Sequence, residues 1–301
     1  MSIDILLPAA LAFIMFSLGL ALQAGDFQRV FQRPGALLVG LCGQLVLVPL
    51  VALGVVLVFD LTPVLGIGLM ILAACPGGAS SGFLTHLARG NAALSLTLTV
   101  ISSLAALVSF PLLVELVLTQ FAWLGEDAAG VLGESATQLV VLPLGKLIGS
   151  VLVVTTLPIL AGMLIRRRAP VFTLRHEALI GRLAALFFAA IVLATFVSHQ
   201  DTILSNLRVI GPATLVLNFV VMAGAYGLVV LIGARRRDAV AVAMECGLQN
   251  AGLAIFVAIV LLRQPELAVA AVVYALTMNF GALGLVFVSR RQRARSVLVR
   301  S

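Results

Sequence analysis

Charge is scarce in this chain. Asp, Glu, Lys and Arg make up 10% of its 301 residues, against about 25% in an ordinary soluble domain. With so few charges and a mean hydropathy of +1.20, a water-facing surface cannot be assembled, which excludes a cytosolic enzyme and a disordered chain. Cysteine is scarce too. Cys42, Cys75 and Cys246 all lie in apolar runs, which excludes a disulfide scaffold, and they show no metal-ligand spacing. One Trp and two Tyr leave no stacking surface for a nucleic-acid partner. Catalytic apparatus is also missing. The segment ACPGGASSG lacks the Lys of a phosphate-binding loop, and its serines have no nearby His for a nucleophilic triad. No enzyme is expected.

Apolar residues are what the chain has, at 62%. A helix needs about 20 of them to cross roughly 30 Å of hydrocarbon. Lipid offers the backbone no hydrogen-bond partners, so such runs must be helices or barrel strands. These are too long and continuous for barrel strands. The expected fold is an all-α polytopic membrane protein with nine transmembrane helices. They fall near 6–23, 35–59, 62–88, 92–118, 138–165, 182–199, 208–233, 239–262 and 267–289. The opening MSIDILLPAA carries Asp4 and no basic residue, a poor match to a cleaved signal peptide.

Arginine sets the expected orientation. Arg29, Arg33, Arg89, Arg166 to Arg168, Arg175, Arg182, Arg235 to Arg237 and the tail from Arg290 to Arg300 fall on one side. Lys146, Arg208 and Arg263 fall on the other, with Asp4, Asp60, Glu126, Asp127, Glu134, Asp201 and Glu266. An odd number of spans then puts the N-terminus outside and the C-terminus in the cytoplasm of a plasma or inner membrane, in the lipid bilayer. The basic tail 291–301 is read as a topology anchor.

Two spans carry interruptions that a plain anchor does not need. The third has Cys75-Pro76-Gly77-Gly78 at mid-span. Proline removes a donor and clashes with the preceding turn, and glycine eases the exit from helical geometry. The eighth has Glu245, Gln249 and Asn250 among Gly247 and Gly252. With span five as a connector, spans 1–4 and 6–9 have opposite topology, and the interrupted helix is third in each. Paired interruptions in inverted-topology repeats point to a transporter binding site. No residue-level repeat accompanies the topological one.

Crossing of these discontinuous helices would gather half-helix ends at the midplane, where amide ends suit an anion and freed carbonyls suit a small cation. Glu245 stands out, because ionisable groups at the bilayer centre are expensive and usually functional. It is either a protonated acid hydrogen-bonded inside the bundle or an anionic oxygen ligand for a hard cation. Gln249 lies one turn on. Ser95 and Thr99 share a helix face, and Gln44 is another polar group at membrane depth. Singly, each suits an ordinary interhelical hydrogen bond. Together they form an oxygen-rich set suited to Na⁺.

The segments CPGGASSGFLTHLARGNAALSLTLTVISS and ECGLQNAGLAIFVAI, with IMFSLGLALQAGDFQRVFQRP near the start, resemble the bile acid:sodium symporter family over nearly the whole chain. The chain resembles the ten-helix bacterial members with the first helix absent, as in the nine-helix animal members. The resemblance implies a panel domain (1–34 and 136–205; spans 1, 5 and 6) and a core domain (35–135 and 206–290; spans 2–4 and 7–9). It also implies alternating access by rocking one against the other. A first sodium site would use Ser81, Ser95, Thr99 and Glu245. A second would use Gln44, Glu245, Gln249 and the carbonyls of Cys246 and Leu248. Substrate would meet Asn250 and the segment Gly78, Ala79, Ser80. Two positions depart from the family: Gly82 stands where Asn is usual, and Ala79 where Thr is common. The first departure removes a side-chain carbonyl from the first site, so one or two ions are expected, and the second site is the firmer.

The expectation is a sodium-coupled symporter of a small organic anion, with no protein partner implied. Its rivals are a proton-coupled or uncoupled carrier on the same fold and a non-pumping sensor or channel. Cys75 and Cys246 are read as packing, and His86, His176 and His199 as headgroup-level or solvated residues, His176 in a basic loop. Glu115 and Lys146 are open between pairing, snorkelling and tuning an entry path.

Overall fold

The computed structural model describes residues 3–23, 25, 30–31, 34–123 and 144–298. Arg29, Arg33, Glu126, Asp127, Glu134, Arg300 and the first six residues of the expected fifth span lie outside the described residues. The rest is helical, and its one β-type pairing is a single bridge. We number the helices α1 Ile3–Ala21, α2 Pro34–Val58, α3 Pro63–Ala74, α4 Ser81–Leu87 and α5 Ala92–Trp123. Helix α6 runs Leu144–Val151, passes through a π turn at Leu152–Thr156 and continues Leu157–Arg168. There follow α7 Pro170–Ser198, α8 Gln200–Leu231, α9 Arg236–Gly247, α10 Ala251–Leu261 and α11 Ala268–Leu298. Among the described residues six segments are long and apolar enough to cross a membrane: α2, α5, α6, α7, α8 and Pro265–Arg291. Shorter apolar helices are Ile5–Ala21, Pro63–Ala74 and Ala251–Leu261.

Several ends follow from local chemistry. Proline opens α2, α3 and α7, where its missing N–H has no intrahelical partner to lose. Left-handed residues close α2, α4, α8 and α10: Asp60, Arg89, Gly233 and Arg263, with φ of 46°, 58°, 70° and 56°. Helices α7 and α8 are longer than the apolar runs that announced them. His176 and Arg175 lie on α7 and not in a loop, because Pro170 restarts the helix one residue after α6 ends. Hydropathy marks where the hydrocarbon is, and a helix is free to continue into the headgroups.

Two sets of contacts organise the helices, and they meet where α6 packs on α5 and α7 on α11. Helix α1 packs on α6 and α7. A Cβ at Gly19 would run into the Ile159 carbonyl, and one at Gly162 into the Phe16 carbonyl, so α1 and α6 meet backbone to backbone. Arg166 ties the same end, pairing with Glu177 and donating to the Leu20 carbonyl. The other group surrounds α9: it packs on α2, α4, α5, α8 and α11, and Asp238 to Gly247 are buried throughout. Only 17% of the apolar window of α7 is buried against 50% for that of α11, so α7 is peripheral and α11 central. Leu186, Leu193 and Val197 of α7 face outward, as suits contact with lipid.

The backbone contact of α1 with α6 leaves no room for a larger residue. Gly162→Val is expected to destabilise the protein by about 1–3 kcal/mol. Thermal unfolding in detergent checks this, and an unchanged midpoint would contradict it.

Candidate functional site

Proline makes the first break. The residue before a proline is driven out of the α region, and Cys75 is extended at φ −68°, ψ 152°. Helix α3 stops there and α4 restarts at Ser81. The second break falls at Leu248 (φ −109°, ψ 91°), and α10 restarts at Ala251. The two non-helical segments lie against each other as an antiparallel bridge between Gly77 and Gln249. Gly78 N donates to Leu248 O at 2.6 Å, and Asn250 N donates to Pro76 O at 3.0 Å.

Side chains satisfy other freed groups. Cys75 O accepts from Gln44 Nε2 at 2.8 Å. Cys246 O accepts from Gln249 Nε2 at 2.6 Å. Gln44 Nε2 donates to Gln249 Oε1 as well, at 2.9 Å. Gln44 lies in a π turn of α2, Gly43–Leu47, a distortion often found at functional sites. Asn250 caps α10, its Oδ1 accepting from Leu253 N at 3.0 Å.

Glu245 is fully buried, two residues before α9 ends at Gly247. Its Oε2 accepts from Ser81 Oγ at 2.6 Å and Ser95 Oγ at 2.9 Å, and its Oε1 accepts from Thr99 Oγ1 at 2.6 Å. These partners come from α4 and α5, and none is basic. A Cβ at Gly77 would collide with Glu245 Oε1, so the glycine makes the space in which the carboxylate sits. Gly82, at the start of α4, is covered by Leu96: a Cβ there would stand 2.5 Å from Leu96 Cδ2. The neighbouring side chain on α5 therefore fills the volume next to this residue with hydrocarbon.

The candidates read from the sequence thus fall into two sets. Ser81, Ser95, Thr99 and Glu245 are joined directly. Gln44, Gln249 and the Cys246 carbonyl are joined to one another through the two carboxamides, and the Leu248 carbonyl lies within the bridge. Among the described residues, Glu245 makes no hydrogen bond to Gln44 or Gln249. Gly78 and Asn250 meet through the bridge, Ala79 is half-buried and Ser80 exposed. Asn250 Nδ2 approaches Met15 Sδ at 3.7 Å, and Gly252 packs near Leu11 and Phe188. The start of α10 therefore faces apolar side chains of α1 and α7.

Sequence reading missed two residues. Asn218 of α8 and Tyr274 of α11 both donate to Gly247 O, at 2.8 and 2.9 Å. The available signal was a carboxamide at mid-span in LVLNFVV. Its partner is a backbone carbonyl, which no side-chain pattern reveals.

Among the described residues no three of His, Cys, Asp and Glu converge to hold a metal ion. The donors at the breaks are a carboxylate, hydroxyls, carboxamides and carbonyls, all hard oxygen ligands that fit an alkali cation. Two broken helices paired around a buried acid, among helices long and apolar enough to span a bilayer, are what a multi-pass membrane transporter requires.

Comparison with known proteins agrees. The sodium bile acid symporter family matches residues 8–206, and the chain belongs to that family. It is 30% identical over 245 residues to a sodium-dependent transporter, YocS, of Bacillus subtilis, covering 81% of this chain and 70% of that protein. It is 28% identical over 282 residues to a chloroplast sodium/metabolite cotransporter, BASS2, of Oryza sativa subsp. japonica, covering 93% of this chain and 62% of that one. The human sodium-dependent organic anion transporter is 30% identical over 204 residues, which is 66% of this chain and 50% of the human protein. The family match ends before Glu245, and the rice relative extends the likeness across most of the chain.

The space beside Gly77 offers a test of the geometry. Gly77→Ala is expected to destabilise the protein by about 1–3 kcal/mol through overpacking. Combining it with Glu245→Ala is expected to relieve most of that loss, because the added methyl then enters the volume left by the carboxylate. A thermal double-mutant cycle measures the coupling, and strict additivity would show that the two groups do not share this space.

Proposed function

We propose that this protein is a sodium-coupled symporter of a small organic anion. The observation that carries the reading is Glu245: a fully buried carboxylate held by three hydroxyls and no basic side chain. A buried charge without a fixed partner is very costly. It is neutralised by a proton or by a mobile cation, and the oxygen-rich surroundings suit Na⁺. The names of the relatives, with sodium coupling in each, support the same choice.

In this reading Ser81, Ser95 and Thr99 turn their oxygens to an ion beside Glu245. Gln44, Gln249 and the Cys246 and Leu248 carbonyls serve a second. One or two ions are carried. Leu96 over Gly82 adds no oxygen to the first set, which makes the second the firmer site. Asn250 and the segment Gly78, Ala79, Ser80 meet the anion. Ion and solute favour each other only by preferring the same conformation, and the bridge joins the backbone of both sites, so fixing one orders the other.

The proposed architecture has nine membrane passes, α3 with α4 and α9 with α10 counting as one pass each, in two inverted repeats. Helices α1, α6 and α7 form a panel (1–34, 136–205), and the rest a core (35–135, 206–290). The two rock against each other for alternating access. The membrane is a plasma or inner membrane, with the N-terminus outside and the basic tail 291–301 in the cytoplasm.

Uptake into proteoliposomes tests the central claim. Replacing external Na⁺ by choline at fixed pH is expected to abolish concentrative uptake, and Glu245→Ala to lower sodium-driven uptake at least 100-fold while the protein still folds. Uptake that persists in choline and follows a pH gradient would replace this reading with a proton-coupled carrier. Binding without concentrative uptake would leave a sensor.

A further inference from the structure

The end of α9 leaves one carbonyl that the ion sites do not use. Gly247 O is turned away from the bridge, toward α8 and α11, where Asn218 Nδ2 and Tyr274 Oη both donate to it. The carbonyls on either side point elsewhere: Cys246 O to Gln249 and Leu248 O to Gly78. Asn218 and Tyr274 are both buried and reach the carbonyl from different helices. Asn218 is seated against the backbone of α11, where a Cβ at Gly281 would strike its Oδ1. That Oδ1 is buried and has no hydrogen-bond partner.

We infer that Asn218 and Tyr274 are positioning residues: by holding Gly247 O they set the two neighbouring carbonyls toward the second cation site. A peptide plane rotates as a unit, because its bond is rigid. Freeing Gly247 O leaves the Gly247–Leu248 peptide held only through Leu248 N, which donates to Met244 O, and loosens the dihedrals on either side that set Cys246 O and Leu248 O. The unpartnered Asn218 Oδ1 argues against a purely stabilising role. A buried acceptor without a donor costs about 1–3 kcal/mol, and a leucine of the same shape would remove that penalty. A side chain kept for stability alone has no reason to carry it.

The inference rests on the sodium-coupled reading, and its test separates the two. Purified protein is titrated with NaCl against choline chloride at constant ionic strength, with the thermal midpoint as readout. Asn218→Leu and Tyr274→Phe are each expected to raise the Na⁺ concentration for half-maximal stabilisation about two- to tenfold, the factor of one lost hydrogen bond. The midpoint of Asn218→Leu without Na⁺ is expected to stay level or rise. Gln249→Ala and Glu245→Ala are the comparison variants. If they shift the Na⁺ response and the two brace variants do not, the positioning role is wrong and the residues are structural. If none of the four shifts it, the cation site itself is wrong, and the brace falls with it.

Discussion

Two hydrogen bonds between interrupted helices hold the centre of this molecule together. Gly78 N meets Leu248 O, and Asn250 N meets Pro76 O. Backbone that leaves helical geometry at membrane depth has no water to satisfy it and persists only when protein supplies the partners. Each break supplies partners for the other, and Gln44, Gln249, Asn218 and Tyr274 hold the Cys75, Cys246 and Gly247 carbonyls. Neither break is self-sufficient. The chain therefore needs both in register before either is stable, and the surrounding helices serve to keep them there.

The same pairing fixes where charge can sit. Pro76 ends α3, Gly77 then passes close to α9 without a side chain, and the space so made receives the Glu245 carboxylate. Helix α4, restarting after the break, brings Ser81 to that carboxylate, while α5 brings Ser95 and Thr99 one turn apart. A motif that looks like a helix breaker is thus also the floor of an acid site. Hydroxyl donors hold the carboxylate without supplying a positive charge, which in the proposed symporter leaves it open to a cation.

Much of this was legible in the sequence. Hydropathy located the apolar helices, because the bilayer imposes one length scale on them. Cys75-Pro76-Gly77-Gly78 announced its break through proline chemistry, and the i, i+4 spacing of Ser95 and Thr99 announced a shared face that the structure turns toward Glu245. The division of the candidates into a hydroxyl set and a carboxamide set was not legible from the residues alone, since it depends on which side of the bridge each side chain approaches. Leu96 filling the space beside Gly82 was hidden for the same reason. A missing side chain in a sequence does not say what occupies its volume. Asn218 and Tyr274 were hidden because they act on a carbonyl, and every residue has one. The helical form of the Arg175 region was missed because composition separates apolar from basic, not helix from loop.

Coupling in the proposed transporter follows from shared backbone and needs no relay between distant sites. The residues assigned to ion and solute are neighbours along the same strands of the bridge: Leu248 and Gln249 precede Asn250, and Gly78 donates to Leu248. A ligand that fixes the Leu248 peptide also fixes the amide that follows it, so the ordering cost is met by whichever ligand binds first. The apolar side chains of α1 and α7 near Asn250 and Gly252 bring the other helix group against this same segment. In the proposed mechanism, a movement of that group would cover or uncover the solute end of the bridge while leaving Glu245 and its hydroxyls inside the unit packed around α9. In the proposed mechanism that group is the part that moves, and the unit packed around α9 is the part that holds its shape.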